Sequence, residues 1–478
     1  MKFLFQNLWE RKKAVAIVIM LLIAQALCEL SLPNYTADIV DVGIQQNGVD
    51  SVAVEEMRQE THNWLLAFMD DDEISYLNAC YEKQGETYVL KDEVSEDKDK
   101  KTALEQVLQE PMVLTYFMEY GAQESGDSEY ASMMVDAAKM QEQLKQLAQA
   151  GALAPSSLYG MRAAVTEKFG DLGDTMIDQM SIAMAQQEYE ALGYDMHQMQ
   201  MDYLLRTGGV MILMTLGMLL AAVLLGYVSS RTAADIGRSL RKKVYTSVIS
   251  FSGKEIDQFS TASLITRCTN DIQQVQMVEV MLLRMVLYAP VLAIGGIIMV
   301  TRTDASMSWI IVVAVAVIIS VVMVLMKFSM PKFKMMQKLV DRMNLVSREI
   351  LTGIPVIRAF SREEHEKERF KDANTELMET QLYTSRMMAW MMPIMMLIMN
   401  CITVAIVWFG AKGISAGHMQ VGDMMAFITY AMVIVMSFLL LTMMSIMLPR
   451  AGVAAERIQE VIGTRSSITD AEQLADDE

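Results

Sequence analysis

Few residues in this sequence have the types and spacing that chemistry needs. The four histidines (His62, His197, His365, His418) and four cysteines (Cys28, Cys80, Cys268, Cys401) lie far apart, and no CxxC pair or other metal-ligand spacing occurs. No catalytic constellation and no metal site is therefore named. No GxxxxGK[ST] loop occurs, so nothing here can cradle a triphosphate. The densest set of functional groups is "AFSREEHEKERF", Ala359–Phe370, placed between two runs fit for lipid. A phenylalanine ringed by charges has the chemistry of a contact: an apolar plug for a groove on another protein, with a polar rim. A second such stretch, "FSGKEIDQFSTASLITRCTND", Phe251–Asp271, offers Phe259 in the same way. Both rings are expected to be exposed.

These stretches must be positioned by the elements around them. Six apolar runs have bilayer length: Ala14–Leu32, Gly208–Val228, Met281–Val300, Trp309–Met326, Met387–Phe409 and Met424–Leu448. Runs of ~18–25 residues cross about 30 Å of hydrocarbon, and a backbone in lipid satisfies its own hydrogen bonds as helix. Lys and Arg cluster before span 1 and after spans 2 and 4, while the connections after spans 3 and 5 carry almost no charge. The positive-inside rule then puts both termini and the two contact stretches in the cytoplasm. The net charge of −18 is concentrated: residues 35–206 hold 33 acidic against 11 basic residues. That block reads as a separate polar domain outside the membrane, and its acidity argues against a nucleic-acid partner. Span 1 also looks like a signal peptide ending at "QALC", but cleavage would leave an odd number of spans. The sequon "NYT" at Asn34 is a weak match for glycosylation.

The spans continue past the membrane. Ser229–Arg284 and Lys327–Arg386 are nearly free of breaks and amphipathic, which predicts two helical hairpins, each with a short cross-helix at its tip. Gly253 is expected to end one helix, with Asp257, Ser260 or Thr261 capping the next. Gly353 and Pro355 are expected to loosen the helix from span 4, and Ser361 with Glu364 has capping-box spacing. Within the membrane, "RMMAWMMPIMMLIMNCITV" is either lipid-facing packing or an adaptable apolar wall, with Pro393 as a bend. Glu29 belongs in a wet cavity or at the outer interface. Gln25, Glu29, Met391, Met395, Met399 and Asn400 are the cavity candidates. The polar domain has helical patterns at residues 128–153 and 174–193, a strand fragment in "ETYVLKDE", a solvated loop in "EVSEDKDKK", and core candidates Leu153, Leu158, Met161, Val165 and Phe169.

Taken together, these residues resemble the transmembrane half of a bacterial ABC exporter. "DQFSTASLITRCTNDIQQVQ" is similar to the first coupling-helix region and "GIPVIRAFSREEHEKERF" to the second. "LPNYTADIVDVGIQQNG" fits the end of span 1, "GISAGHMQVGDMMAFITYAM" the turn into span 6, and "AGVAAERIQEVIGTRSSITD" the linker to a nucleotide-binding domain. The resemblance implies an all-α membrane protein in four parts. Residues 1–50 would hold span 1, 51–205 an inserted, mainly helical extracytoplasmic domain, 206–456 spans 2–6, and 457–478 the linker. It further implies coupling residues Gln258, Phe259, Ser260, Thr261, Leu264 and Arg267 on the first tip, and Ala359, Phe360, Ser361, Arg362, Glu363 and Glu364 on the second. Expected partners are nucleotide-binding domains carrying ATP and Mg, the lipid bilayer, and a second half-transporter, more readily a different chain than a copy. The expected cargo is an amphipathic drug, lipid or peptide, and the expected home is a bacterial cytoplasmic membrane. Two features depart from the pattern: the 51–205 insertion, and the absence of an ATPase, which implies either a longer protein or a borrowed ATPase. The competing class is a membrane receptor or assembly scaffold. A channel lacks a filter-like segment, and a proton-driven carrier lacks a chain of intramembrane acids.

Overall fold

The protein is described here by a computed structural model that covers residues 6, 8–120, 155–160, 162, 174–303, 306–464 and 467. Helix α1, Lys12–Asp38, passes through Pro33 and continues as a π-helical stretch, Ile39–Gln45. The polar domain follows, with β1 (Glu56–Arg58), α2 (Gln59–Phe68), α3 (Asp71–Cys80), β2 (Tyr81–Gln84), β3 (Thr87–Leu90), α4 (Asp92–Ser95), α5 (Lys98–Tyr120) and α6 (Asp174–Ala191). Then come α7 (Met196–Ile249), α8 (Gly253–Phe259) and α9 (Thr261–Thr266). A π turn at Arg267–Asp271 leads to α10 (Ile272–Met281), and a second at Leu282–Val286 to α11 (Tyr288–Thr303). The last helices are α12 (Ser308–Ala359), α13 (Glu363–Ser415) and α14 (Val421–Gly463). Among the described residues, six helical segments are long and apolar enough to cross a membrane: Lys12–Gln45, Met196–Ile249, Thr261–Thr303, Ser308–Ala359, Glu363–Ser415 and Val421–Thr442. Five of the expected apolar runs lie within these segments, and the sixth, Met424–Leu448, lies within α14 but runs past Thr442. The chain is a multi-pass membrane protein, mostly helical.

Helices α7, α12 and α13 have 54, 52 and 53 residues. At 1.5 Å per residue each is about 80 Å long, so roughly half of each must extend beyond the hydrocarbon. Pro355 does not break α12, which runs through it to Ala359.

The chain forms two compact units. The first comprises Met1–Ala26, Ala222–Ile406 and Tyr430–Glu478. Its core joins Ile236, Leu240 and Val244 of α7 to Ile272, Val275 and Val278 of α10, and to Ala451, Ala454, Ala455, Ile458 and Val461 of α14. The three sets recur at three- and four-residue steps, so each helix buries one stripe. The alanines on α14 let the helices approach closely.

The second unit comprises Leu27–Ala221 and Val407–Thr429. Its sheet has strand order β1-β3-β2, antiparallel throughout. "ETYVLKDE" thus supplies β3, and this sheet is the exception to an all-helical architecture. The segment expected as a solvated loop instead forms α4 and the start of α5. Helix α3 is fixed by a capping box in which Asp70 Oδ1 accepts from Glu73 N–H and Glu73 Oε2 accepts from Asp70 N–H. The main core gathers Met57, Leu65, Met69, Leu77, Leu104, Leu108 and Met112, and Ile182 with Met184 from α6. A smaller cluster holds Trp64, Phe68, Leu114 and Leu158. Leu158 is therefore a core residue as expected, whereas Leu153, Met161, Val165, Phe169 and the 128–153 pattern lie outside the described residues. Glu188, fully buried, accepts from Arg58 Nη2 at 2.8 Å, Arg58 Nε at 3.1 Å and Thr61 Oγ1 at 2.6 Å.

In this unit the end of span 1 meets the start of α14. Asp41, 6% exposed, accepts the Gly422 N–H on Oδ1 at 2.7 Å. That N–H is one of the first-turn donors a helix cannot satisfy itself, and a carboxylate there also complements the helix dipole. Gln200 Nε2 donates to Gly43 O at 2.8 Å.

Candidate functional site

The two hairpin tips, both in the first unit, are built differently. At the first, Ser252 caps α8: its N–H donates to Glu255 Oε2 at 2.9 Å, and its hydroxyl donates to the same oxygen. The Ser252 hydroxyl, then its N–H and Ser467, hold the Glu255 carboxyl down at about 2. Gly253 thus opens a helix rather than ending one; Ser252 caps that helix, and of the expected caps Asp257, Ser260 and Thr261 it is Ser260 that caps the helix after it. Ser260 caps α9, accepting weakly from Ser263 N–H at 3.4 Å. Ser260 sits at φ +53°, ψ 145°, a region costly for a residue with a Cβ, by about 1–3 kcal/mol.

Phe259 is buried, 5% exposed, not the bare knob expected from the sequence. Its ring stacks on Phe251 with centroids 5.9 Å apart and planes 14° from parallel. The Arg267 guanidinium carbon lies 4.9 Å from the Phe259 centroid. Arg267 Nη1 also donates to Arg457 O at 2.8 Å and Glu460 Oε2 at 2.7 Å, while Arg457 Nη1 lies 3.4 Å from Asp271 Oδ2. Among the expected contact residues here, Gln258, Ser260 and Thr261 are exposed, while Phe259, Leu264 and Arg267 face the chain's own core.

The second tip has no cross-helix. Helix α12 ends at Ala359, Phe360–Arg362 make the turn, and α13 starts at Glu363. Three backbone bonds close it: Phe360 N–H to Val356 O (3.1 Å), Ser361 N–H to Arg358 O (3.2 Å) and Arg362 N–H to Ile357 O (2.9 Å). Ser361, at φ +50°, belongs to the turn rather than capping a helix from its first position. Glu363, Glu364 and Glu366 load the first turn of α13 with the charge its dipole favours. All six expected residues, Ala359 to Glu364, are exposed, and Phe360 is 74% exposed. Beside it lies a groove of about 370 Å³, lined by Ile350, Ile354, Ile357 and Phe370 with Arg358, Glu363, Glu366 and Lys367. Arg342 to Glu376 (2.7 Å), Arg369 to Glu349, and Lys332 over the Tyr383 ring (5.3 Å) keep one antiparallel register along α12 and α13. Exposed pairs like the first two stabilise little individually, about 0–1 kcal/mol, so they fix alignment more than stability.

The cavity candidates differ in exposure and partners. Gln25 Nε2 donates to the Tyr288 hydroxyl at 3.1 Å. Met395 is buried, Met391 and Met399 are half-buried, and Asn400 is exposed. Glu29, in the second unit, is half-buried. Sequence reasoning missed Phe251, Asp271, Arg457 and Glu460. The spacing of Ala451, Ala454, Ala455, Ile458 and Val461 was the available clue that this stretch packs rather than dangles. No group of three metal-ligating His, Cys, Asp or Glu side chains occurs among the described residues.

Comparison with known proteins fits this architecture. An uncharacterized ABC transporter ATP-binding protein of Mycobacterium bovis is 38% identical over 265 residues, 55% of this chain and 46% of the relative. YfiB of Bacillus subtilis, an uncharacterized ABC transporter ATP-binding protein, is 33% identical over 257 residues, 54% of this chain and 45% of its own. A putative export ATP-binding/permease protein of Rickettsia conorii is 24% identical over 217 residues, 45% of this chain and 37% of its own. The chain spans less than half the length of these relatives. Residues 169–438 match the family described as the ABC transporter transmembrane region, and with more than half of its length inside that match, the chain belongs to that family.

Proposed function

We propose that this chain is the transmembrane part of an ATP-driven exporter that moves amphipathic drugs, lipids or peptides out of a bacterial cytoplasm by alternating access. The observation that carries this reading is Phe360. It stands 74% exposed on a three-residue turn at the end of two helices of more than 50 residues. Leaving such a ring in water forgoes about 1.5–3 kcal/mol of burial, so the tip is built to be covered. Its cover is a nucleotide-binding domain, with Phe360 as the plug and Arg362, Glu363 and Glu364 as the rim. Gln258, Ser260 and Thr261 form the corresponding surface of the first tip. ATP and Mg belong to that domain, because these 478 residues contain no phosphate-cradling loop.

In this arrangement both termini and both tips are cytoplasmic, and residues 51–205 lie on the outer face. A second half-transporter completes the cavity. It covers the exposed Leu345, Leu351 and Val356 along the second hairpin, and the bulky polar domain favours a non-identical partner. Gln25, Glu29, Met391, Met395, Met399 and Asn400 are the cavity residues of this reading.

The test is Phe360→Ala in the full-length subunit, reconstituted in liposomes with its ATPase and partner. Because the ring is already exposed, the thermal midpoint should hold while ATP-dependent transport falls by at least about tenfold, the equivalent of 1.4 kcal/mol of coupling. Transport at the wild-type rate removes the reading.

A further inference from the structure

We infer that Arg267 is a positioning residue that locks the first hairpin tip to the end of α14, so that the two move as one lever. The inference rests on the exporter reading for its purpose but on separate contacts for its content. One guanidinium joins three partners from two distant parts of the chain. It lies against the Phe259 ring, itself stacked on Phe251, and it donates to the Arg457 carbonyl and the Glu460 carboxylate. The side chain is 10% exposed. A second tie runs the other way, from Arg457 to Asp271, four residues beyond Arg267. A third joins the Ser252 hydroxyl to that of Ser467, 2.9 Å apart. Beneath these ties, Ala454, Ala455 and Ile458 pack into the same core as Ile272 and Val275.

The geometry is specific to arginine. A planar fork can rest its face on an aromatic ring while its edge donates to two oxygens; a lysine ammonium is a point charge without that face. The consequence is mechanical. A force applied at Gln258 or Thr261 reaches α14, and therefore the last span, without crossing a flexible joint. The second tip has no comparable tie to α14 among the described residues, so the two tips transmit motion by different routes.

The experiment uses the full-length subunit in lipid, with Cys28, Cys80, Cys268 and Cys401 replaced. Spin labels at exposed Asp257 and Gln459 report the distance between tip and helix. We expect one narrow distance that is the same with and without trapped nucleotide, and a clearly broadened one in Arg267→Gln. Transport per ATP should fall about tenfold in Arg267→Gln and less in Glu460→Gln. Basal ATPase should stay within about twofold, while the melting temperature falls modestly because Glu460 and Phe259 lose a nearly buried partner. Arg267→Lys should not restore coupling, whereas a short bis-maleimide bridge in the Arg267→Cys, Glu460→Cys double variant should. A wild-type distance that changes on nucleotide trapping overturns the inference. So does an Arg267→Gln variant with a wild-type distance and coupling ratio, or one that simply loses basal ATPase and stability together. Wild-type protein that neither hydrolyses ATP nor transports refutes the exporter reading instead, and the nucleotide-free distance comparison still decides whether the lock exists.

Discussion

Replacing Gly422 by alanine sets two effects of opposite sign against each other, and the structure decides between them. Gly422 is the second residue of α14. On helix propensity alone, alanine is worth about 1 kcal/mol more than glycine. The added Cβ, however, would stand 2.3 Å from Asp41 Oδ2 and 2.5 Å from the Ala37 carbonyl oxygen. One of those atoms is backbone and the other belongs to a carboxylate already committed to the Gly422 N–H at 2.7 Å. Overpacking of this kind costs roughly 1–3 kcal/mol. Moving Asp41 away loses a charge-assisted hydrogen bond worth about 1.5–3 kcal/mol. The clash wins, and a net loss of roughly 2–4 kcal/mol is expected from these terms.

The assay is the thermal midpoint of the chain in detergent, with Gly209→Ala as the control. Gly209 lies in α7, and a Cβ there meets nothing within 4 Å, so that variant should be neutral or slightly more stable. Asp41→Asn keeps an acceptor oxygen but loses the charge, and should fall between the two. A Gly422→Ala protein as stable as Gly209→Ala would refute the packing of span 1 against the start of α14.

Three further outcomes are expected. Glu188→Ala should destabilise the polar domain by about 3 kcal/mol, because it strands Arg58 and Thr61 around a buried site; denaturation followed by Trp64 fluorescence in a chain whose other four tryptophans are replaced by phenylalanine, with Glu188→Gln as the milder variant, checks this. His62, buried and stacked on Tyr88 at 3.7 Å, has its pKa pushed down to about 4 from 6.5, chiefly by burial, with the neighbouring Asn78 opposing it and Lys83 assisting. Below pH 6.5 the unfolded chain takes up a proton that the folded domain refuses, so stability should drop as pH falls from 6.5 to about 4, by on the order of 1–2 kcal/mol after allowance for screening; His62→Phe should flatten that part of the profile. Ser260→Gly should raise the melting temperature by relieving the φ +53° backbone, at a cost of only a few tenths of a kcal/mol in capping, whereas Ser260→Val should lower it.

Much of the membrane part was legible because lipid leaves the backbone one economical choice. Runs such as Trp309–Met326 have helical length and no competing reading, and the amphipathic continuation past Lys327 needed only its period of 3.6 to be followed. What escaped was whatever depends on partners distant in sequence. "VDVGI" and "VGDMM" were visible as separate motifs, yet nothing local says that Asp41 caps the helix beginning at Val421. Phe259 and Phe360 looked alike, because the residues that bury the first, Phe251 and Arg267, act only once α8 and α9 have folded back. Pro355 looked like a break, yet α12 passes through it. In the polar domain "EVSEDKDKK" read as loop from its charge, whereas short helices with one buried stripe tolerate that charge on their solvent side. Met57, Leu104 and Leu108 form a core between strands and helices too short for a clear period.

The difference between the two tips bears on how such a protein divides its work. At the first tip Phe259, Leu264 and Arg267 are buried and Arg457 pairs with Asp271, while Ile256 and Ile265 stay exposed. The second hairpin keeps Leu345, Leu351, Val356 and Phe360 in the open, some 20–35 residues beyond the end of its apolar run at Met326. At 1.5 Å per residue those side chains lie about 30–50 Å farther along the helix, too far for lipid to cover them. An element that stays apolar where neither lipid nor its own chain shields it is complete only in an assembly. On the exporter reading proposed above, a first tip tied through Arg267 to α14 acts as a fixed lever and the open second tip as a free hook. Losing the hook's partner should leave the fold intact and remove only the work, whereas loosening the lever should change how the last span follows the first tip.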